Sequence, residues 1–262
     1  MEKIISRSNE KIKAAAFLGT SAKARRETGL FLLEGARLCA DAATSGTRIV
    51  QAFLTAPAME KYANYVEPII KNARECYEIT PEVGNRLTDT LSSQGVFCVC
   101  WMPESTADIN KVDLNGRYVA LENIQDPSNL GTVCRTAEAL GLSGLVVSGG
   151  CDIYNPKALR AAMGASLRLP VIETENLPEW LMSAARQGML TVASTVSGEG
   201  AGGTEILKTG GGIICVIGNE GAGVSEETLD ACAERVAIPM KGKAESLNAS
   251  ACAAIIMWEL MG

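Results

Sequence analysis

Ile238-Pro239-Met240-Lys241-Gly242-Lys243-Ala244-Glu245-Ser246-Leu247-Asn248-Ala249-Ser250 separates a short apolar strand from an apolar stretch, 249–258, that reads as a helix. Ser246 and Asn248 suit a helix start, because their side chains satisfy backbone N–H groups that the first turn leaves unpaired. A single cap needs only one such residue. The added Pro, Gly, two Lys and Glu point to a ligand-binding loop opening onto a helix.

Two earlier segments have the same form. An apolar strand over 118–121 leads into Glu122-Asn123-Ile124-Gln125-Asp126-Pro127-Ser128-Asn129-Leu130-Gly131-Thr132-Val133-Cys134-Arg135. A second, 213–217, leads into Gly218-Asn219-Glu220-Gly221-Ala222-Gly223-Val224-Ser225. Strands at 118–121, 144–147, 189–193, 213–217 and 235–238 alternate with helices at 130–140, 156–165, 177–186, 226–234 and 249–260. Continuous apolar strands such as Ile213-Ile214-Cys215-Val216-Ile217 predict a parallel sheet covered on both faces. Residues 1–104 read as a smaller α/β domain, with strands at 30–33, 50–54, 76–79 and 96–101 and helices at 8–18, 36–43, 65–73 and 81–89. The polar, Pro-containing stretch 102–110 is the best linker, placing a second domain at 105–262. Residues 197–203, rich in glycine, read as a flexible loop.

Composition narrows the chemistry. The 262 residues include no histidine, which excludes Ser-His-Asp and Cys-His nucleophiles and His-ligated metals. Nine cysteines occur in an odd count, without CxxC, mostly in apolar surroundings. They read as reduced, buried small hydrophobes, with no metal site expected. No apolar run is long enough to span a bilayer and the N-terminus lacks a signal-peptide core, so a cytoplasmic protein is expected. The net charge of −6 is unevenly spread. Lys3, Arg7, Lys11, Lys13, Lys23, Arg25 and Arg26 face only Glu2 and Glu10 in the first 26 residues. Such an arm can contact phosphates, although a solvated helix face explains the charge equally well.

The three strand-to-loop motifs, in this order and spacing, closely resemble the SpoU/TrmH branch of the SPOUT methyltransferases, RNA ribose 2′-O-methyltransferases that use S-adenosylmethionine. The stretch Arg25-Arg26-Glu27-Thr28-Gly29-Leu30-Phe31-Leu32-Leu33-Glu34-Gly35, with Gln94-Gly95-Val96, is similar to the substrate-binding domain of ribosomal-RNA-type members. The resemblance implies a C-terminal trefoil knot, which sequence pattern alone could not predict because threaded chains are very rare. It implies S-adenosylmethionine as cofactor, RNA, with ribosomal RNA favoured, as substrate, and a homodimer built through the second domain. It implies catalytic roles for Asn129, Arg135, Glu220, Ser246 and Asn248, and cofactor contacts from Gly218, Ile238, Met240 and Leu247, with Thr195 a weaker member. Arg7, Lys11, Arg25, Arg26, Lys157 and Arg160 are the RNA-facing candidates, and Arg168 is a further one that could pair with an acid instead.

The residues alone leave plainer readings open. Ile238 and Leu247 could be ordinary core, Asn129 a helix cap, Arg135 a surface partner of Glu138, and the glycines a plain turn. An RNA-binding relative without activity, an enzyme acting on transfer RNA, and a nucleotide-binding domain with another substrate also remain open.

Overall fold

The structure, a computed structural model, describes residues 1–103, 107–196, 202–208, 210–243 and 246–262. Parts of the expected linker 102–110, of the loop 197–203 and of the third motif therefore lie outside the described residues. The chain forms two compact units. The first holds Met1–Glu104 and Asp152–Leu167; the second holds Ser105–Cys151 and Arg168–Gly262.

In the first unit, β1 (Glu2–Ile4), α1 (Glu10–Thr20), α2 (Ala22–Thr28), β2 (Leu30–Glu34), α3 (Ala36–Thr44), β3 (Ile49–Thr55), α4 (Ala56–Lys61), α5 (Ala63–Asn72), β4 (Glu75–Ile79), α6 (Pro81–Gly84) and β5 (Val96–Trp101) follow in order. The sheet runs β1-β4-β3-β5-β2. β1, β4 and β3 are parallel, and β5 is antiparallel to both β3 and β2. Asn9 caps α1 and Ser21 caps α2, each accepting a backbone N–H. Gly29 ends α2 in the left-handed region at φ 66°, where glycine carries no steric cost. Ile12 and Leu18 on α1 and Leu32, Phe53, Phe97 and Val99 on the strands close one core. Two of these elements escape a sequence reading. β1 is three residues long with one buried side chain, and α4 begins directly where β3 ends, with Thr55 both closing the strand and capping the helix. The helix expected over 81–89 stops at Gly84.

The helix Pro156–Ala162 lies in this first unit, so the span 105–262 is interrupted. Arg25 supplies the physical reason. Its side chain is 2% exposed, and its Nε donates to Asp152 Oδ2 at 2.6 Å. A buried guanidinium requires such a carboxylate. Tyr154 packs on Phe31 with ring centroids 4.9 Å apart. Neither contact is visible in local pattern, because the partners are more than a hundred residues apart.

The second unit contains β6 (Arg117–Glu122), α7 (Pro127–Leu140), β7 (Gly144–Ser148), β8 (Val171–Glu173), α9 (Leu177–Arg186), β9 (Leu190–Thr195), β10 (Ile213–Ile217), α10 (Glu226–Ala231), β11 (Glu234–Ala237) and α11 (Ala249–Met261), α8 being the Pro156–Ala162 helix above. The six strands are all parallel, in the order β11-β9-β10-β6-β7-β8. Every residue of β10 is buried. Tyr118, Val146, Trp180, Leu181, Ile214 and Val216 form the core on one face. Parallel strands deliver all their following loops to one edge, where ligands bind in open α/β sheets. Because β11, β9, β10 and β6 are neighbours, the three motifs and Thr195 converge there.

Among the described residues, no helix is long and apolar enough to cross a membrane.

Candidate active site

Each motif begins with a local device that fixes its loop. In the first, Asp126 rather than Asn129 caps α7: its side chain accepts the Ser128 N–H at 2.9 Å, with Pro127 in the first turn. Asn129 is thereby released for other contacts, and it is 8% exposed. In the second, Asn219 and Gly223 exchange two backbone hydrogen bonds of 2.9 Å, closing a tight turn. A side chain at Gly218 would collide with the backbone of Gly223 and Val224. The Asn219 side chain holds the turn from within, accepting from Gly221 N at 2.8 Å and Ala222 N at 2.9 Å, and donating to Asn123 O at 2.9 Å. In the third, Asn248 caps α11 by accepting the N–H groups of Ser250 at 2.9 Å and Ala251 at 3.4 Å.

A directional chain of side-chain hydrogen bonds then joins all three motifs. Asn248 Oδ1 is committed to the start of α11, so its amide nitrogen faces outward and donates to Asn129 Oδ1 at 3.1 Å. Asn129 Nδ2 in turn donates to Glu220 Oε1 at 2.9 Å. The other Glu220 oxygen accepts a long bond of 3.4 Å from Gln125 N. Partial burial alone would raise the Glu220 pKa. The Asn129 amide and the backbone N–H groups of Glu220, Gln125 and Asp126 outweigh it and hold the carboxyl below its ordinary range. Glu220 is therefore a hydrogen-bond acceptor at neutral pH.

Beside this chain lies a cleft of about 450 Å³, within the size range of small-molecule sites. Thr195, Gly218, Glu220, Ile238, Met240, Ser246 and Leu247 all line it. Its walls are apolar where Ile217, Ile238, Met240, Val224 and Leu247 contribute, and polar along the 218–223 backbone. Ile238 and Met240 are half-buried and Leu247 is 37% exposed, so these are cleft walls rather than closed core. An adenosine needs apolar faces for its ring and backbone groups for its edges, and this donor set fits S-adenosylmethionine. Sequence reasoning missed Asn219, Val224 and Cys252, which also line the cleft. For Asn219 a signal existed: an Asn between glycines is a turn residue whose side chain bonds to the backbone two residues on.

Arg135 is not among the residues lining the cleft. It lies six positions beyond Asn129 on α7 and is exposed. The plainer alternative, a pairing with Glu138, is not what the structure shows: Glu138 is paired with Arg168, whose Nε donates to it at 2.7 Å. The RNA-facing candidates divide likewise. Arg7, Arg26 and Lys157 are exposed. Lys11 is engaged by Glu75 at 3.2 Å and lies 5.0 Å from the Tyr77 ring centre. Glu75 also accepts from Gln51 and Tyr77 and is held at a pKa of about 2 by Gln51 first, then Tyr77 and Lys11. Arg160 grips Asp89 through two bonds of 2.6 and 3.0 Å. Arg25, buried on Asp152, is corrected from a candidate RNA contact to a structural residue, since almost none of its surface can reach a ligand.

Comparison with known proteins agrees with this arrangement. The sequence profile of the SpoU rRNA Methylase family matches residues 116–258, and that of the MRM3-like substrate binding domain matches residues 9–98. The chain is 33% identical over 263 aligned residues to the 23S rRNA (guanosine(2553)-2′-O)-methyltransferase RlmP of Bacillus subtilis, covering 100% of both chains. Among solved structures, the SpoU methyltransferase AviRb from Streptomyces viridochromogenes, in complex with AdoMet, superposes with a TM-score of 0.85 at 25% identity, covering 97% of each chain. The AdoMet-bound rRNA methyltransferase from Sinorhizobium meliloti does so with a TM-score of 0.84 at 28% identity, covering 99% of this chain and 97% of that one. The chain belongs to the SpoU rRNA methylase family and is an S-adenosylmethionine-dependent RNA 2′-O-methyltransferase.

Proposed function

We propose that this enzyme methylates a ribose 2′-hydroxyl of ribosomal RNA in the cytoplasm, with Asn129, Arg135, Glu220, Ser246 and Asn248 forming the reaction centre. The observation that carries this reading is the Asn248–Asn129–Glu220 chain, which ties the three motifs together at the rim of the cleft. When bound, the cofactor supplies an electrophilic methyl on its sulfonium. What the protein must add is alignment, which alone can contribute several kcal/mol to the barrier. Ile238, Met240 and Leu247 hold the adenosine. Glu220 accepts a hydrogen bond from the incoming hydroxyl and draws electron density onto its oxygen. As the O–CH3 bond forms and the S–CH3 bond breaks to leave a neutral thioether, the hydroxyl proton passes along this hydrogen bond to solvent, because the lowered pKa of the exposed Glu220 makes it a polarising acceptor rather than a store for the proton. Ser246, at the cleft, orients the ribose. Arg135, always charged, grips a neighbouring phosphate rather than acting as a base.

Arg7 and Arg26 are the first choices for further RNA contacts because their side chains are exposed. We further infer a homodimer through α11. Ala249, Ala253, Ile256, Met257 and Leu260 are buried, whereas Ala251, Ile255 and Trp258 form an exposed apolar stripe at helical spacing, with Trp258 66% exposed. The knot belongs to the same proposal: β11 lies at the sheet edge beside β9, while α11, which follows it, packs against β6, β10 and α7.

Calorimetry with S-adenosylmethionine, followed by methyl transfer to 23S rRNA fragments, tests this reading. Binding without transfer to any ribosomal fragment, but with transfer to tRNA, would move the substrate. No cofactor binding at all would remove the assignment.

A further inference from the structure

Glu122 ends β6 and opens the first motif, yet it does not line the cofactor cleft. It opens instead on a second cleft of about 650 Å³ in the same unit, which also holds Glu175, Glu179, Arg186 and Glu227. Its carboxylate is committed on both oxygens. One accepts the Ser225 N–H at 2.8 Å; the other accepts the Ser225 hydroxyl at 2.7 Å and the fully buried Thr228 hydroxyl at 2.5 Å. The nearby Cys232 thiol is pushed up to about 12, by burial first and by the Glu122 carboxylate next.

These contacts fall at a mechanically decisive point. Residues 218–224 of the loop 218–225 form one wall of the cofactor cleft. Its near end is fixed because it continues β10. Its far end is Ser225, the cap of α10, a helix of only six residues that cannot by itself hold the loop in place. The carboxylate ties that far end to the C-terminal tip of β6, two strand positions of the same sheet thereby gripping both ends of the wall. We infer that Glu122 is a positioning residue for the methyl-transfer reaction: it anchors the Gly218–Ser225 loop and so sets the width of the cofactor cleft. This rests on the reading of that cleft as the S-adenosylmethionine site.

The test uses the full chain. Glu122→Ala removes all three bonds. Its dissociation constant for S-adenosylmethionine in calorimetry, and its KM for the cofactor at saturating RNA, rise about tenfold, while kcat at saturating cofactor stays within about threefold. Glu122→Gln keeps an oxygen for the Ser225 N–H, and its amide N–H groups can donate to the two rotatable hydroxyls. It therefore restores affinity to within about threefold of wild type. Ser225→Ala, a smaller change that keeps the N–H bond, weakens cofactor binding by about threefold and serves if Glu122→Ala does not fold by circular dichroism. Unchanged affinity in folded Glu122→Ala or in Ser225→Ala overturns the inference. A collapse of kcat in Glu122→Gln with normal cofactor affinity overturns it too, since the carboxylate would then act on the reacting atoms directly. A wild-type protein that binds no S-adenosylmethionine overturns the cleft assignment and this inference with it.

Discussion

The hydrogen-bond chain through Asn129 yields a sharp prediction, because changing its middle member to aspartate reverses the sign of one contact. Asn129→Ala removes the 2.9 Å bond to Glu220 and the 3.1 Å bond from Asn248. A bond to a charged acceptor is worth ~1.5–3 kcal/mol and a neutral one ~0.5–1.5. Glu220 and Asn248 are both exposed, so water returns part of this. The net loss is roughly 1–2 kcal/mol, or about five- to thirtyfold in kcat/KM. Asn129→Asp keeps the shape but sets a second carboxylate against Glu220. Two unit charges at that separation repel by roughly 6 kcal/mol at an effective dielectric near 20. Solvent at Glu220 screens much of this, leaving ~2–3 kcal/mol. The pair relieves the strain by taking up a proton, so its apparent pKa rises. At neutral pH Asn129→Asp should therefore be worse than Asn129→Ala. Its activity relative to wild type should recover as pH falls toward 5, whereas that of Asn129→Ala should not. Single-turnover methyl transfer measured from pH 5 to pH 8 decides the matter. Equal activities for the two variants at every pH would refute the idea that this chain orders the reaction centre.

Three other outcomes follow from the same geometry. Arg135→Ala should bind S-adenosylmethionine normally yet lose methyl transfer by about a hundredfold or more, because its side chain lies away from the cofactor walls; near-normal turnover on a validated RNA would remove it from the reaction centre. Leu247→Asp should weaken cofactor affinity by about tenfold in calorimetry, a moderate loss because the side chain is already 37% exposed; unchanged affinity would show that Leu247 does not face the adenosine. Trp258→Glu should convert a dimer to a monomer in light scattering at micromolar concentration, and a wild-type monomer under those conditions would eliminate α11 as an interface.

The second sheet was legible because its strands are buried on both faces and leave unbroken apolar runs such as Ile213-Ile214-Cys215-Val216-Ile217. The three-residue strands β1 and β8 were not, since three residues cannot establish a period. The fate of Arg25 and of the helix Pro156–Ala162 could not be read either, because both depend on a pairing between residues 25 and 152. For the cleft, motif position identified wall residues that composition alone would have called core. At the start of α7 the cap reading of Asn129 gives way: Asp126, three residues earlier, caps the helix, freeing Asn129 to bridge Glu220 and Asn248. For the basic residues, sequence shows a charge but not the acid beside it, as Lys11 with Glu75 and Arg160 with Asp89 illustrate.

Mapping ribose 2′-O-methylation across the ribosomal RNA of cells with and without this gene tests the central claim most directly. Loss of methylation at one ribosomal ribose is the predicted result, with restoration by the wild-type gene and not by the Asn129→Asp variant. An unchanged ribosomal RNA profile, with the protein expressed and folded in the parent cells, would contradict the account.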